Sequence, residues 1–126
     1  MYVIFTTSPS VAHKYRVTLP NNHVVDFGSR RESDYTDHKN ARVMRSQLIR
    51  RGALVPLEVR LETEPSEIQF EMLHVTRSTK ENWDDIYSQA YWERWILYSY
   101  PTVSQSQVWM TTRYGFLFMP YHDTFF

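Results

Sequence analysis

Apolar side chains recur along this chain at two periods, and the changes between them mark out elements. In KYRVTL, Tyr15, Val17 and Leu19 alternate with polar residues, Pro20-Asn21-Asn22 supply turn chemistry, and Val24 to Phe27 return. The alternation predicts a β-hairpin over residues 14–29, with Gly28 placed where a positive φ lets the chain leave the sheet. The period then lengthens. Ala41, Met44 and Leu48 form one helical stripe while Arg42, Arg45, Arg50 and Arg51 fill much of the remainder, so a basic helix is expected over residues 37–51. Thr36 or Asp37 can cap its start, and Gly52 is a natural stop.

Alternation resumes in the next stretch. Leu57, Val59 and Leu61 alternate with Glu58, Arg60 and Glu62, Glu64-Pro65-Ser66 reads as a turn, and Ile68, Phe70, Met72 and His74 alternate on the return. A second hairpin, apolar on one face and acidic on the other, is expected over residues 54–76. From Asn82 the run NWDDIYSQAYWERWILYSY predicts a helix over 82–100, started by Asn82 with Asp85 and stopped at Pro101. It is apolar on more than one face and should be buried on two sides. A further helix is expected over 103–114, with Thr102 and Gln105 in capping-box positions, Val103, Met110 and Tyr114 toward the core, and Gly115 closing it. Residues 115–126 are too apolar to be solvated and too short for an element of their own, and should dock as an arm on this domain or a neighbour. The expected architecture is α+β: two β-hairpins packed with about three helices in a single small domain, 1–126, with an apolar C-terminal arm.

Charge narrows the range of partners. Lys and Arg together number 14, as do Asp and Glu, so no net charge draws the chain to a polyanion, which argues against a dedicated DNA packager. The charges are segregated: Lys14 to Arg51 holds nine bases against Asp26, Glu32, Asp34 and Asp37, and Glu58 to Glu71 holds five acids against Arg60. The absence of cysteine excludes disulfides and thiolate chemistry and suits folding in a reducing compartment. No stretch approaches the ~20 apolar residues of a membrane span. Aromatic residues make up 16% of the chain, a surplus that suits either a protein contact surface or a ring-rich core.

Candidate chemistry is sparse. Asp34, Asp37 and His38 have ligand-like spacing for a divalent ion, but with no second cluster, capping and turn formation are the favoured roles. His13, His23, His74 and His122 show no ligand spacing. There is no GxSxG and no glycine-rich phosphate loop, and the neighbouring acids Asp84-Asp85 and Glu62/Glu64 suit a solvated face. Neither catalysis nor a cofactor is expected. Thirteen residues from Lys39 to Arg51 contain five bases and no acid, which suits phosphate contacts, although the aromatic residues lie in another segment.

Two blocks of this sequence resemble a family of small, mostly uncharacterised proteins of large double-stranded DNA viruses. VVDFGSRRESDYTDHKNARVMRSQLIRR is similar to the family's FG…DYTxH signature leading into a basic helix, through Phe27, Gly28, Asp34, Tyr35, Thr36, His38 and Arg42. ENWDDIYSQAYWERWILYSYPT and the following helix are similar to its RWILW-like block, through Trp83, Arg94, Trp95, Ile96, Leu97, Thr102 and Arg113. The sequence departs from the family at Gln89 to Trp92, at Tyr98, at Asn40, and in residues 54–75, which read as an insertion. The resemblance implies no enzymatic activity. It implies a structural virion protein, a minor capsid protein made and folded in the host cytoplasm, with other virion or capsid proteins as partners. On this reading Phe27, Gly28, Asp34, Tyr35, Thr36 and His38 form a structural turn and cap. Arg42, Arg45, Arg50, Arg51, Trp92, Trp95, Phe116, Phe118, Phe125 and Phe126 make partner contacts. The alternative is a small nucleic-acid-binding protein using the helix Lys39 to Arg51.

Overall fold

Strands β2 (His13–Thr18) and β3 (Val24–Ser29) form the expected antiparallel hairpin in the computed structural model, which describes residues 1–55 and 64–119. Its turn is closed by Leu19 N–H on His23 O and Asn22 N–H on Leu19 O, both at 2.9 Å, with Asn22 in the left-handed region that asparagine tolerates. Strand β1 (Tyr2–Thr7) pairs antiparallel with β2 on the other side. The strand β4 (Leu117–Met119), in what reads from sequence as an arm, pairs parallel with β1, so the sheet order is β3-β2-β1-β4. The arm therefore docks on its own domain as far as Met119. One sheet face carries Val3, Val17, Val25 and Phe27, all buried, and meets the helices.

The basic segment is two helices rather than one. Asp34 caps a single turn, α1 (Tyr35–His38); Lys39 then takes a left-handed conformation at φ 55°, and Asn40 caps α2 (Ala41–Arg50). The expected caps Thr36 and Asp37 are inside the first turn. The break arises because the Asn40 side chain accepts from both Arg42 N–H and Val43 N–H, which supplies a new helix start. Ala41, Met44 and Leu48 form its buried stripe, as the spacing requires.

The second hairpin is not what the chain builds. Residues 65–73, expected as part of its turn and most of its return strand, form a helix, α3 (Pro65–Leu73), with the proline in the first turn where its missing N–H costs nothing. Ile68 and Met72, four apart, are buried while Phe70 between them is 60% exposed, which is the helical solution to a pattern that also fits alternation. The expected first strand, Leu57 to Leu61, lies outside the described residues.

The expected helix 82–100 also starts late. Asn82 and Asp85 side chains accept from Asp84 N–H and Tyr87 N–H, closing local turns, and the helix α4 (Gln89–Trp92) begins only after its cap Ser88. It widens into a π-helical turn, Glu93–Leu97. Every residue from Tyr91 to Ser99 is buried, so burial on two sides holds for this part. Helix α5 (Val103–Tyr114) has its expected bounds and its Thr102 cap, and ends at Gly115 in the left-handed conformation. The protein is thus a small single-domain α+β fold in which a four-stranded mixed sheet packs on helices around Trp83, Trp92 and Trp95. Among the described residues, no helix is long and apolar enough to cross a membrane.

Candidate interaction site

The segment Phe27 to Arg51 draws its geometry from three anchors. Phe27 is fully buried, its ring 5.9 Å from those of Phe5 and Tyr15 and 6.3 Å from Trp92. Gly28 follows at φ +81°, where a Cβ would stand 2.9 Å from Leu97 Cδ1, so the sheet approaches the π-helical turn only because no side chain intervenes. Its N–H donates to Glu93 Oε2 at 3.0 Å.

The second anchor is the turn at Asp34. Its carboxylate is almost wholly buried and accepts from Thr36 N–H and Thr36 Oγ1, while Asp37 accepts from Asp34 N–H in return. Lys14 Nζ, from β2, reaches both carboxylates at 2.6 Å and Glu32 O at 2.8 Å. Burial alone would lower the Lys14 ammonium, but the hydrogen bonds and charges of Asp34 and Asp37 outweigh it and raise it above its ordinary value. His38 faces the other way: Asn40 N–H donates to its Nδ1, which leaves Nε2–H to donate to Gln47 Oε1 at 2.8 Å, and Gln47 Nε2 donates to Ser33 O. The six structural residues expected from sequence thus sit in one continuous piece, and the metal-like spacing of Asp34, Asp37 and His38 resolves into caps and a lysine bridge. Among the described residues, no group of three or more His, Asp or Glu is placed to hold a metal ion.

Glu93 and Arg51 form the third anchor. Arg51 Nη1 donates to Glu93 Oε1 at 2.8 Å, its fork also reaches Glu32 at 3.3 Å and Glu81 at 3.6 Å, and it lies 4.8 Å over the Tyr98 ring. Burial would lower this guanidinium, but the hydrogen bond to Glu93 and the neighbouring acids lift it above its ordinary value. Expected at a partner contact, Arg51 is instead an internal brace. Trp92, Trp95 and Phe116 are corrected in the same way: all are buried, with Trp95 stacked on Trp109 at 5.1 Å and Trp92 edge-on to Phe116 at 5.2 Å. Phe118 is half-buried against Phe5 at 5.9 Å. Much of the aromatic surplus fills the core, where a small sheet needs large side chains to cover it, while Tyr2, Phe70 and Tyr87 stay exposed. Phe125 and Phe126 lie outside the described residues.

The RWILW-like block marks Arg94 but not Glu93, yet an acid-base pair inside the apolar run YWERWIL is itself a signal, because charges there must find partners. Arg94 is fully buried between Trp95 and Trp83, at 4.3 and 5.3 Å from the ring centroids, and donates to the carbonyls of Met72, Val75 and Tyr98. Burial pulls it down to about 9, which leaves it charged at neutral pH, where the C-terminal carbonyls of α3 balance it.

What remains at the surface is the outer side of α2. Arg42 and Arg50 are exposed, Arg45 is half-buried, and Val43 and Ile49 between them are 40% and 47% exposed. Arg45 and Arg50 have no carboxylate partner among the described residues. Beside this face opens a cleft of about 620 Å³ lined by Glu32, Ser33, His38, Gln47, Arg50 and Tyr98. A guanidinium row interrupted by branched aliphatic side chains can hold carboxylates and cover apolar surface at once.

No curated protein and no solved structure matches the chain. Residues 3–51, which run from β1 through the DYTxH turn and α2 to the brace arginine, match a family of unknown function, DUF5754.

Proposed function

We propose that this protein is a structural component of the particle of a large double-stranded DNA virus, a minor capsid protein that binds an acidic neighbour through the outer face of α2. The virion assignment rests on the resemblance of the FG…DYTxH and RWILW-like blocks. The observation that carries the contact is the outward-facing row of Arg42, Arg45 and Arg50 on α2 with the exposed Val43 and Ile49 set into it. Apolar side chains within the basic row favour a protein partner, since a phosphate backbone gives them nothing to cover. Peptide mass spectrometry of purified, nuclease-treated particles, split into shell and core fractions, tests the assignment. The protein is expected in the shell, and absence from both fractions refutes it.

Concentration of the arginines on one helix favours nucleic acid as the second reading. If it holds, the protein is found with the genome only, and Arg42→Ala and Arg45→Ala weaken binding equally across sequences and flatten its salt dependence. No shift of DNA or RNA at low salt rules it out.

A further inference from the structure

Helix α3 presents a surface opposite in charge to that of α2. Its Ile68 and Met72 turn into the same core as Met44 and Leu48 of α2, and the two helices are in contact, so their outer faces adjoin. On the outer side of α3, Glu64, Glu67 and Phe70 are exposed and Glu71 is half-buried. Glu64 and Glu71 have no cationic partner among the described residues. Phe70 is held in place although it is exposed: His74 Nδ1–H donates to Phe70 O at 3.0 Å, and the two rings lie 4.8 Å apart. A ring already ordered costs little entropy to cover.

The two faces share one plan. Helix α2 sets Val43 and Ile49 among Arg42, Arg45 and Arg50, and α3 sets Phe70 among Glu64, Glu67 and Glu71. Each is an apolar centre framed by charge of one sign, and the signs are opposite. With 14 bases and 14 acids the chain has no net charge to keep two copies apart. A surface whose adjoining halves are complementary is satisfied by a two-fold axis, since each half then meets its opposite on the partner.

We propose that the acidic neighbour of α2 is the α3 face of a second copy, in a two-fold dimer where α2 of each copy lies on α3 of the other. This rests on the reading of the α2 face as a contact for an acidic protein, and it names that protein. Phe70 covers Val43 and Ile49, while Glu64 and Glu71 meet Arg45 and Arg50. Helices of 10 and 9 residues together present a face of about 15 by 20 Å. That is small beside the roughly 800 Å² per partner of a standard interface, so the dimer is weak in solution and salt-sensitive.

Sedimentation velocity on the full chain, from about 10 μM to 1 mM, tests this. The wild type is expected to dimerise reversibly, and less at high salt. Arg45→Glu with Arg50→Glu, and Glu64→Lys with Glu71→Lys, should each be monomeric alone. An equimolar mixture of these two variants should dimerise again, because a reversed α2 then meets a reversed α3. Phe70→Ser, which changes no charge, should weaken the dimer roughly tenfold or more, and far-UV circular dichroism checks that each variant folds. A wild type that stays monomeric overturns the proposal and leaves the shell assignment standing, whereas absence from the particle refutes that assignment and not the dimer. A dimer that survives either charge reversal, or a mixture of folded variants that stays monomeric, also overturns it.

Discussion

Replacing Glu93 by alanine removes one carboxylate from three donors, and the structure sets the cost. Gly28 is buried, so its N–H, now 3.0 Å from Glu93 Oε2, is stranded. An unsatisfied buried amide costs about 2 kcal/mol. Losing one member of a buried ion pair costs about 3–5 kcal/mol. Arg51 keeps Glu32 and Glu81, however, and its side chain is 19% exposed, so we take less than half of that, about 1.5 kcal/mol. Gln89, the third donor, is exposed and adds nothing. The expected loss is about 3.5 kcal/mol, which at a slope of about 1–3 kcal/mol per molar urea moves the unfolding midpoint down by roughly 2 M. Glu93→Gln keeps one acceptor and should lose about half as much. In a double-mutant cycle with Arg51→Met, a coupling of at least about 1 kcal/mol is expected. A loss below about 1 kcal/mol in Glu93→Ala, or additive single variants in the cycle, would refute the view that this pair ties the sheet to the helices.

Gly28→Ala should cost about 2 kcal/mol, because a left-handed φ is imposed on alanine and its Cβ meets Leu97; a change under about 0.5 kcal/mol in urea unfolding would mean that the backbone relaxes. Stability should also depend on pH at both ends of the scale. The Asp26 carboxyl is held below the usual carboxylate range by the hydrogen bond from Arg16, against burial and with help from Ser8. In Asp37, burial pushes the carboxyl up, but the hydrogen bonds from Lys14 and from the Asp34 backbone pull it below that range. Both groups therefore stabilise the fold above their unfolded values near 3.8, and that contribution is lost as pH falls through the folded ones. Lys14, raised in the fold, contributes fully below its unfolded 10.5 and loses its contribution as pH rises through the folded value. Urea midpoints that fall on acidification below about pH 4, less steeply in Asp26→Asn, are expected; midpoints that rise there would contradict the ion-pair geometry.

Parts of this fold were legible because one local signal had one meaning. Tyr15, Val17 and Leu19 before Pro20-Asn21-Asn22 admit little but a hairpin, and Thr102, Gln105 and Gly115 delimit α5 to the residue. Where the same residues satisfy two periods, the reading failed: Ile68 and Met72 are even-spaced for a strand and four apart for a helix, and packing against α2 decides. Asn40 departs from the family signature, and its capping of a second helix inside an otherwise continuous helical period has no separate mark in the sequence. The turn from Asp34 to His38 was readable as a cap because capping is local. The bonds from Glu93 to Gly28 and Arg51 join residues far apart in the chain, a pairing that no local pattern announces. The aromatic surplus stayed ambiguous until the small sheet showed how much surface had to be covered.

The parallel pairing of β1 with β4 also decides how the domain carries force. Tyr2 lies opposite Leu117 and Ile4 opposite Met119, so a pull on the start of β1 and the end of β4 acts along the strands in opposite directions. The hydrogen bonds between them then share the load and must break together, whereas bonds in an antiparallel pair gripped at one end open one after another. A tug on the two flanks of this sequence meets a shear clamp before it reaches the tryptophan core.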